Sequence, residues 1–141
     1  MKLGARHSPS GARPELQLPF YQVTGISPGT FFVPVNSGSL VAEADEMEFG
    51  AYLILTNGRL ATLLVQNILT GDDSTVASYR ARKNGVSVGE PVLIANNAPG
   101  PVRVDLSFVT VSPGDTVGLR VTFPAFAGSA PVPKLGYTWM P

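Results

Sequence analysis

The sequence predicts an all-β chain: an antiparallel two-sheet sandwich of the jelly-roll kind over residues 20–141, preceded by an extended N-terminal arm over residues 1–19. Three observations carry this. Apolar and polar residues alternate with a period of two in several short runs, and turn residues recur about every 8 to 12 positions. The one window with partial helical spacing, Met47 to Leu55, carries Gly50 and a β-like run, so no helix is expected.

Met1 to Pro19 contains Gly4, Ser8, Pro9, Ser10, Gly11, Pro14 and Pro19 with only isolated apolar residues, and it keeps neither period. It reads as an arm. Lys2, Arg6 and Arg13 against Glu15 make it mildly basic. Extended at roughly 3.3 Å per residue it reaches about 60 Å, far beyond a domain whose radius of gyration is about 14 Å. Such an arm can clasp a neighbouring subunit.

Strand signals then follow one another. Phe20 to Val23 precedes Gly25 and the turn Ser27-Pro28-Gly29, and Thr30 to Val35 precedes Asn36-Ser37-Gly38. Leu40 to Ala44 leads into an acidic stretch, and Ala51 to Thr56 ends at Asn57-Gly58, a two-residue hairpin signal between Leu-rich runs. Leu60 to Leu69 is apolar on both faces at Leu63, Leu64 and Val65, as a centrally buried strand requires. It ends at Gly71-Asp72-Asp73. In Thr75 to Lys83, Val76, Ser78, Arg80 and Arg82 alternate with Ala77, Tyr79 and Ala81, so half of this strand faces water, and Asn84-Gly85 closes a second hairpin.

The clearest alternation sets Val102, Val104, Leu106 and Phe108 against Arg103, Asp105 and Ser107. After the turn Ser112-Pro113-Gly114-Asp115, Val117, Leu119, Val121 and Phe123 repeat it against Thr116, Gly118, Arg120 and Thr122. Two such neighbouring strands predict a hairpin lying on the core. Leu135, Tyr137 and Trp139 form a last alternating strand, expected to be tucked into a sheet.

Composition narrows the chemistry. With no cysteine and His7 as the single histidine, disulfides, thiolate metal sites and cysteine nucleophiles are out of reach, and no Gly-x-Ser-x-Gly elbow accompanies a base. Ten basic and ten acidic residues cancel, so no global field draws the chain to nucleic acid or an anionic membrane. No apolar stretch approaches the roughly 20 residues of a membrane span, and the opening MKLGARHSPSG has no apolar leader region. Scarce charge beside abundant Gly and Pro suggests a surface partly covered by another subunit.

Glu43, Asp45, Glu46 and Glu48 match neither a calcium loop nor a paired-carboxylate motif, and read as a solvated edge or a patch that docks the basic arm of a neighbour. Asp72, Asp73 and Asp115 read as turn caps. Arg80, Arg82 and Lys83 beside Tyr79 read as a solvated strand face. Phe31, Phe32, Phe123, Phe126, Tyr137 and Trp139 read as core or interface, with a sugar platform of Tyr137 and Trp139 as the other reading.

The run from Leu63 through Lys83-Asn84-Gly85, then Val102 to Val111, Ser112-Pro113-Gly114-Asp115 and Val117 to Phe123, resembles the trimeric jelly rolls of the tumour-necrosis-factor and complement-globular-head type. Joined to the arm, it resembles a bacteriophage capsid decoration protein. The resemblance implies a homotrimer that binds the major capsid protein on the capsid exterior after synthesis in the host cytoplasm. It implies no enzymatic activity, no cofactor or metal, and no nucleic-acid or membrane partner. Arm residues Arg6, Arg13, Leu16, Leu18 and Phe20 are the expected contacts. The rival expectations are a receptor- or carbohydrate-binding tip of a tail fibre or spike, and an enzyme domain that uses the acidic cluster.

Overall fold

A computed structural model describes residues 16–17, 21–23, 26–33, 46 and 50–141. The strands are β1 (Leu16–Gln17), β2 (Tyr21–Gln22), β3 (Gly29–Phe32), β4 (Ala51–Leu53), β5 (Gly58–Leu69), β6 (Val76–Lys83), β7 (Val86–Ala95), β8 (Val102–Asp105), β9 (Thr110–Val111), β10 (Thr116–Phe123) and β11 (Val132–Met140). They form two antiparallel sheets packed face to face. In the first, β11 and β5 are central, β1 and β2 pair with β11, and β8 and β9 pair with β5. In the second, β10 and β6 are central, β3 and β4 pair with β10, and β7 pairs with β6.

Three pairs of short strands each share one neighbour: β1 with β2, β3 with β4, and β8 with β9. Merged, they leave eight strands ordered 1-8-3-6 and 2-7-4-5, the winding of a jelly roll. The expected two-sheet sandwich is thus observed, β5 is central as its apolar character predicts, and β11 is tucked into a sheet as expected.

Period-two alternation builds the core. Ala77, Tyr79 and Ala81 of β6, Val117, Leu119, Val121 and Phe123 of β10, and Leu135 and Tyr137 of β11 are all buried. Tyr79 meets Phe123 edge to face, with centroids 6.0 Å apart and planes at 88°. Leu60 and Leu63 differ in parity yet are both buried, because the register with β11 slips between Thr138 opposite Thr62 and Trp139 opposite Leu60. That bulge turns the strand by one residue and keeps both leucines inside.

The turns divide into two kinds. Asn84-Gly85 is the expected hairpin, with Lys83 opposite Val86 and φ of 52° and 77° at its two residues, the left-handed pair this turn demands. Asn57-Gly58 is not a hairpin. β4 pairs with β10 and β5 lies in the other sheet, so this link crosses between sheets. Gly58 is needed for close approach instead: a Cβ there meets the Met140 carbonyl oxygen and, at 3.0 Å, the Trp139 ring.

Ser112 to Asp115 also turns as expected, with the Ser112 amide donating to the Asp115 carboxylate at 2.8 Å, but it too joins strands of different sheets. The alternating run before it stops early. The Asp105 carboxylate accepts from the Ser107 amide at 2.9 Å, the Val109 amide donates to the Leu106 carbonyl at 2.9 Å, and the chain bends. Leu106, Val109 and Val111 are therefore buried, while Phe108, expected to share the inner face, is 66% exposed. Strand β7, the second arm of the Asn84-Gly85 hairpin, shows no clean alternation in sequence, because Gly89 and Pro91 break its pattern. They sit in a bulge where Tyr79 faces Val92 and Ala81 faces Val88.

Candidate interaction surface

The last strand needs a partner on its outer edge, since unpaired N–H and C=O groups are costly away from water. Leu16 and Gln17 supply it opposite Trp139 and Thr138, and Tyr21 and Gln22 follow opposite Leu135 and Lys134. The Val23 amide then donates to the Pro133 carbonyl at 3.1 Å. Leu16, assigned from sequence to the arm, thus has its backbone in the first sheet. Arg6, His7, Arg13, Leu18 and Phe20 lie outside the described residues, as do Glu43, Asp45 and Glu48.

Glu46 is buried. Arg82 reaches it from the outer face of β6, with Nε donating to Oε2 at 2.8 Å and Nη2 to Oε1 at 3.1 Å. The same guanidinium donates to Ser87 Oγ at 3.0 Å and stands 5.3 Å over the Phe32 ring. A planar fork suits this combination of bidentate pairing and stacking. The carboxylate of Glu46 is therefore used within the chain, tied to β6 of the second sheet. Arg82, read from sequence as part of a solvated face, is its anchor.

Asp73 caps the turn after β5 as expected, and both Asp72 and Asp73 hold the loop between β10 and β11. Asp72 accepts the Ser129 amide at 2.7 Å, and Asp73 accepts the Ala127 amide at 2.8 Å, the Thr75 amide at 3.1 Å and the Thr75 hydroxyl at 2.9 Å. These donors, the Ala127 amide first among them, hold the Asp73 carboxyl below the ordinary range. Asp115 is lowered similarly by the Asn84 side chain and the Ser112 amide. Among the described residues, no three His, Cys, Asp or Glu side chains gather as a metal-ligand set.

One feature escaped the sequence reading. Tyr52, Leu53, Ile54, Leu55, Thr56, Trp139 and Pro141 line an apolar groove of about 460 Å³ beside the crossing link before β5. Leu53 is 63% and Leu55 76% exposed at its rim, and burial raises the Tyr52 phenol above its usual range. The available signal was that Ala51 to Thr56 is apolar at both parities although it borders a sheet edge. Trp139 serves this groove while Tyr137 is buried in the core, so the two do not form an exposed sugar platform. A scan against models of known protein families finds none that matches the chain, and a search of curated proteins finds no relative.

Proposed function

We propose that this chain is a structural subunit of a bacteriophage virion: a homotrimeric decoration protein that binds the shell of major capsid proteins from outside and stabilises it. The observation that carries the reading is the jelly roll in which β1 and β2 each pair with β11 at its edge. A segment fixed in a sheet at Leu16 transmits tension into the sandwich, as a clasping arm must. The exposed apolar side chains Leu53, Leu55, Val86, Leu93 and Phe108 add surface that an assembly can cover.

The test compares solution mass and particle binding for the full chain and for a chain lacking residues 1–15, a cut that spares β1. Trimers in both cases, with attachment to source capsids only by the full chain, support the reading. A monomer, or capsid binding that survives the cut, refutes it, and binding to host cells without the arm turns the assignment to a receptor-binding tip.

A further inference from the structure

We infer that Asn57 is a site of spontaneous backbone rearrangement in the folded chain, ageing through a succinimide to aspartate and isoaspartate, whereas the fold holds Asn84 intact. The inference is independent of the capsid reading.

The chain carries two Asn-Gly dipeptides, Asn57-Gly58 and Asn84-Gly85. The available reaction is the same for both. The glycine amide nitrogen loses its proton to water and attacks the asparagine Cγ; as the N–Cγ bond forms, the Cγ–Nδ2 bond breaks and ammonia leaves. Water then opens the succinimide ring at either carbonyl, giving aspartate or, with the main chain rerouted through Cγ, isoaspartate. Nothing is oxidised or reduced, and water is the only co-reactant. Glycine favours closure because no Cβ hinders the approach.

The structure separates the two sites. Asn84 sits at a φ of 52°, its amide donates to the Thr116 carbonyl at 2.9 Å, its Nδ2 donates to Asp115 Oδ1 at 2.9 Å, and its Oδ1 accepts the Thr116 amide at 2.8 Å. Its Cγ cannot swing onto the Gly85 nitrogen without breaking both side-chain bonds. Asn57 is exposed, lies between β4 and β5 outside either strand, and its side chain makes no hydrogen bond among the described residues. Gly58 opens β5 opposite Val111 of the two-residue β9, so opening of a single end rung frees its nitrogen.

The rearranged product has little room. Isoaspartate adds a carboxylate and lengthens the main chain by one carbon just before Gly58, where a Cβ would already meet the Pro141 Cα at 2.9 Å and the Trp139 ring at 3.0 Å. Rearrangement at Asn57 therefore presses on the end of β11.

The test holds the unaltered protein folded in warm, mildly alkaline buffer, and unfolded in urea under otherwise equal conditions. Trypsin separates the two sites, since one peptide ends at Arg59 and another runs over 84–103, and fragmentation mass spectrometry places each change of asparagine to aspartate or isoaspartate. Each net hydrogen bond is worth a factor of roughly two to ten in an equilibrium, so the folded chain is expected to convert Asn57 at least about tenfold faster than Asn84. In urea the two rates should converge. Comparable rates in the folded chain, or an Asn57 as durable as Asn84, overturn the inference. So does a contrast of the same size in urea, which assigns it to the sequence and not to the fold.

Discussion

Tyr79 places a phenol in the middle of the sandwich, and its hydroxyl finds no hydrogen-bond partner among the described residues. Burial alone drives its pKa up, so it stays protonated. Tyr79→Phe keeps the ring against Phe123 and removes the stranded hydroxyl; the urea midpoint should stay level or rise, by up to about 1 kcal/mol of stability. Phe123→Ala, by contrast, should cost about 3–5 kcal/mol through the cavity it opens. Glu46→Ala leaves the Arg82 guanidinium without its carboxylate in a largely buried place, with an expected loss of about 3–5 kcal/mol. A loss below about 1 kcal/mol in denaturant unfolding would class the pair with surface salt bridges. Periodicity put Arg82 on the outer face correctly. It carried no information on what lies over that face, because the partner is 36 positions away in the chain.

Strands and turns follow the same logic one level up. Period two tells which way a side chain points, and β6, β10 and β11 were legible for that reason. It does not name the neighbouring strand. Asn84-Gly85 joins paired strands, while Asn57-Gly58 and Ser112–Asp115 carry the chain from one sheet to the other with equally good turn residues. The groove stayed hidden for the same reason, since it forms where a crossing link meets the end of a strand from the opposite end of the sequence.

The aspartate clamp between loops makes a prediction about acid. Asp73, Asp105 and Asp115 titrate below the ordinary value of 3.8 when folded, so the unfolded chain binds protons first. Their stabilisation is complete above that value and is lost as pH falls through the lower folded values. Melting temperature should therefore be flat near neutrality and decline below about pH 4. Asp73→Asn should melt lower at pH 7 and show a shallower acid decline; an unchanged acid profile would mean that Asp73 does not contribute to it.

The molecule as a whole is knit from its ends. β1 and β2 lie on β11, and β11 is the longest-paired neighbour of β5, so the first sheet has no centre without its last strand. A chain cut after Phe126 should retain no cooperative unfolding transition, because β5 then loses one whole ladder and β1 and β2 lose the strand they pair with among the described residues. A sigmoidal melt from that fragment would show that the second sheet folds alone. Pairings this distant in sequence also close slowly, in the millisecond-to-second range typical of such folds.

The central seat of β11 also bears on biosynthesis. Until Val132 to Met140 clear the exit tunnel, β5 stands with one edge open and Leu16 and Gln17 have no β11 to join. The first sheet therefore cannot close before β11 has emerged. Only copies that carry β11 can close the sheet, so a polypeptide aborted before Val132 presents β5 with an open edge.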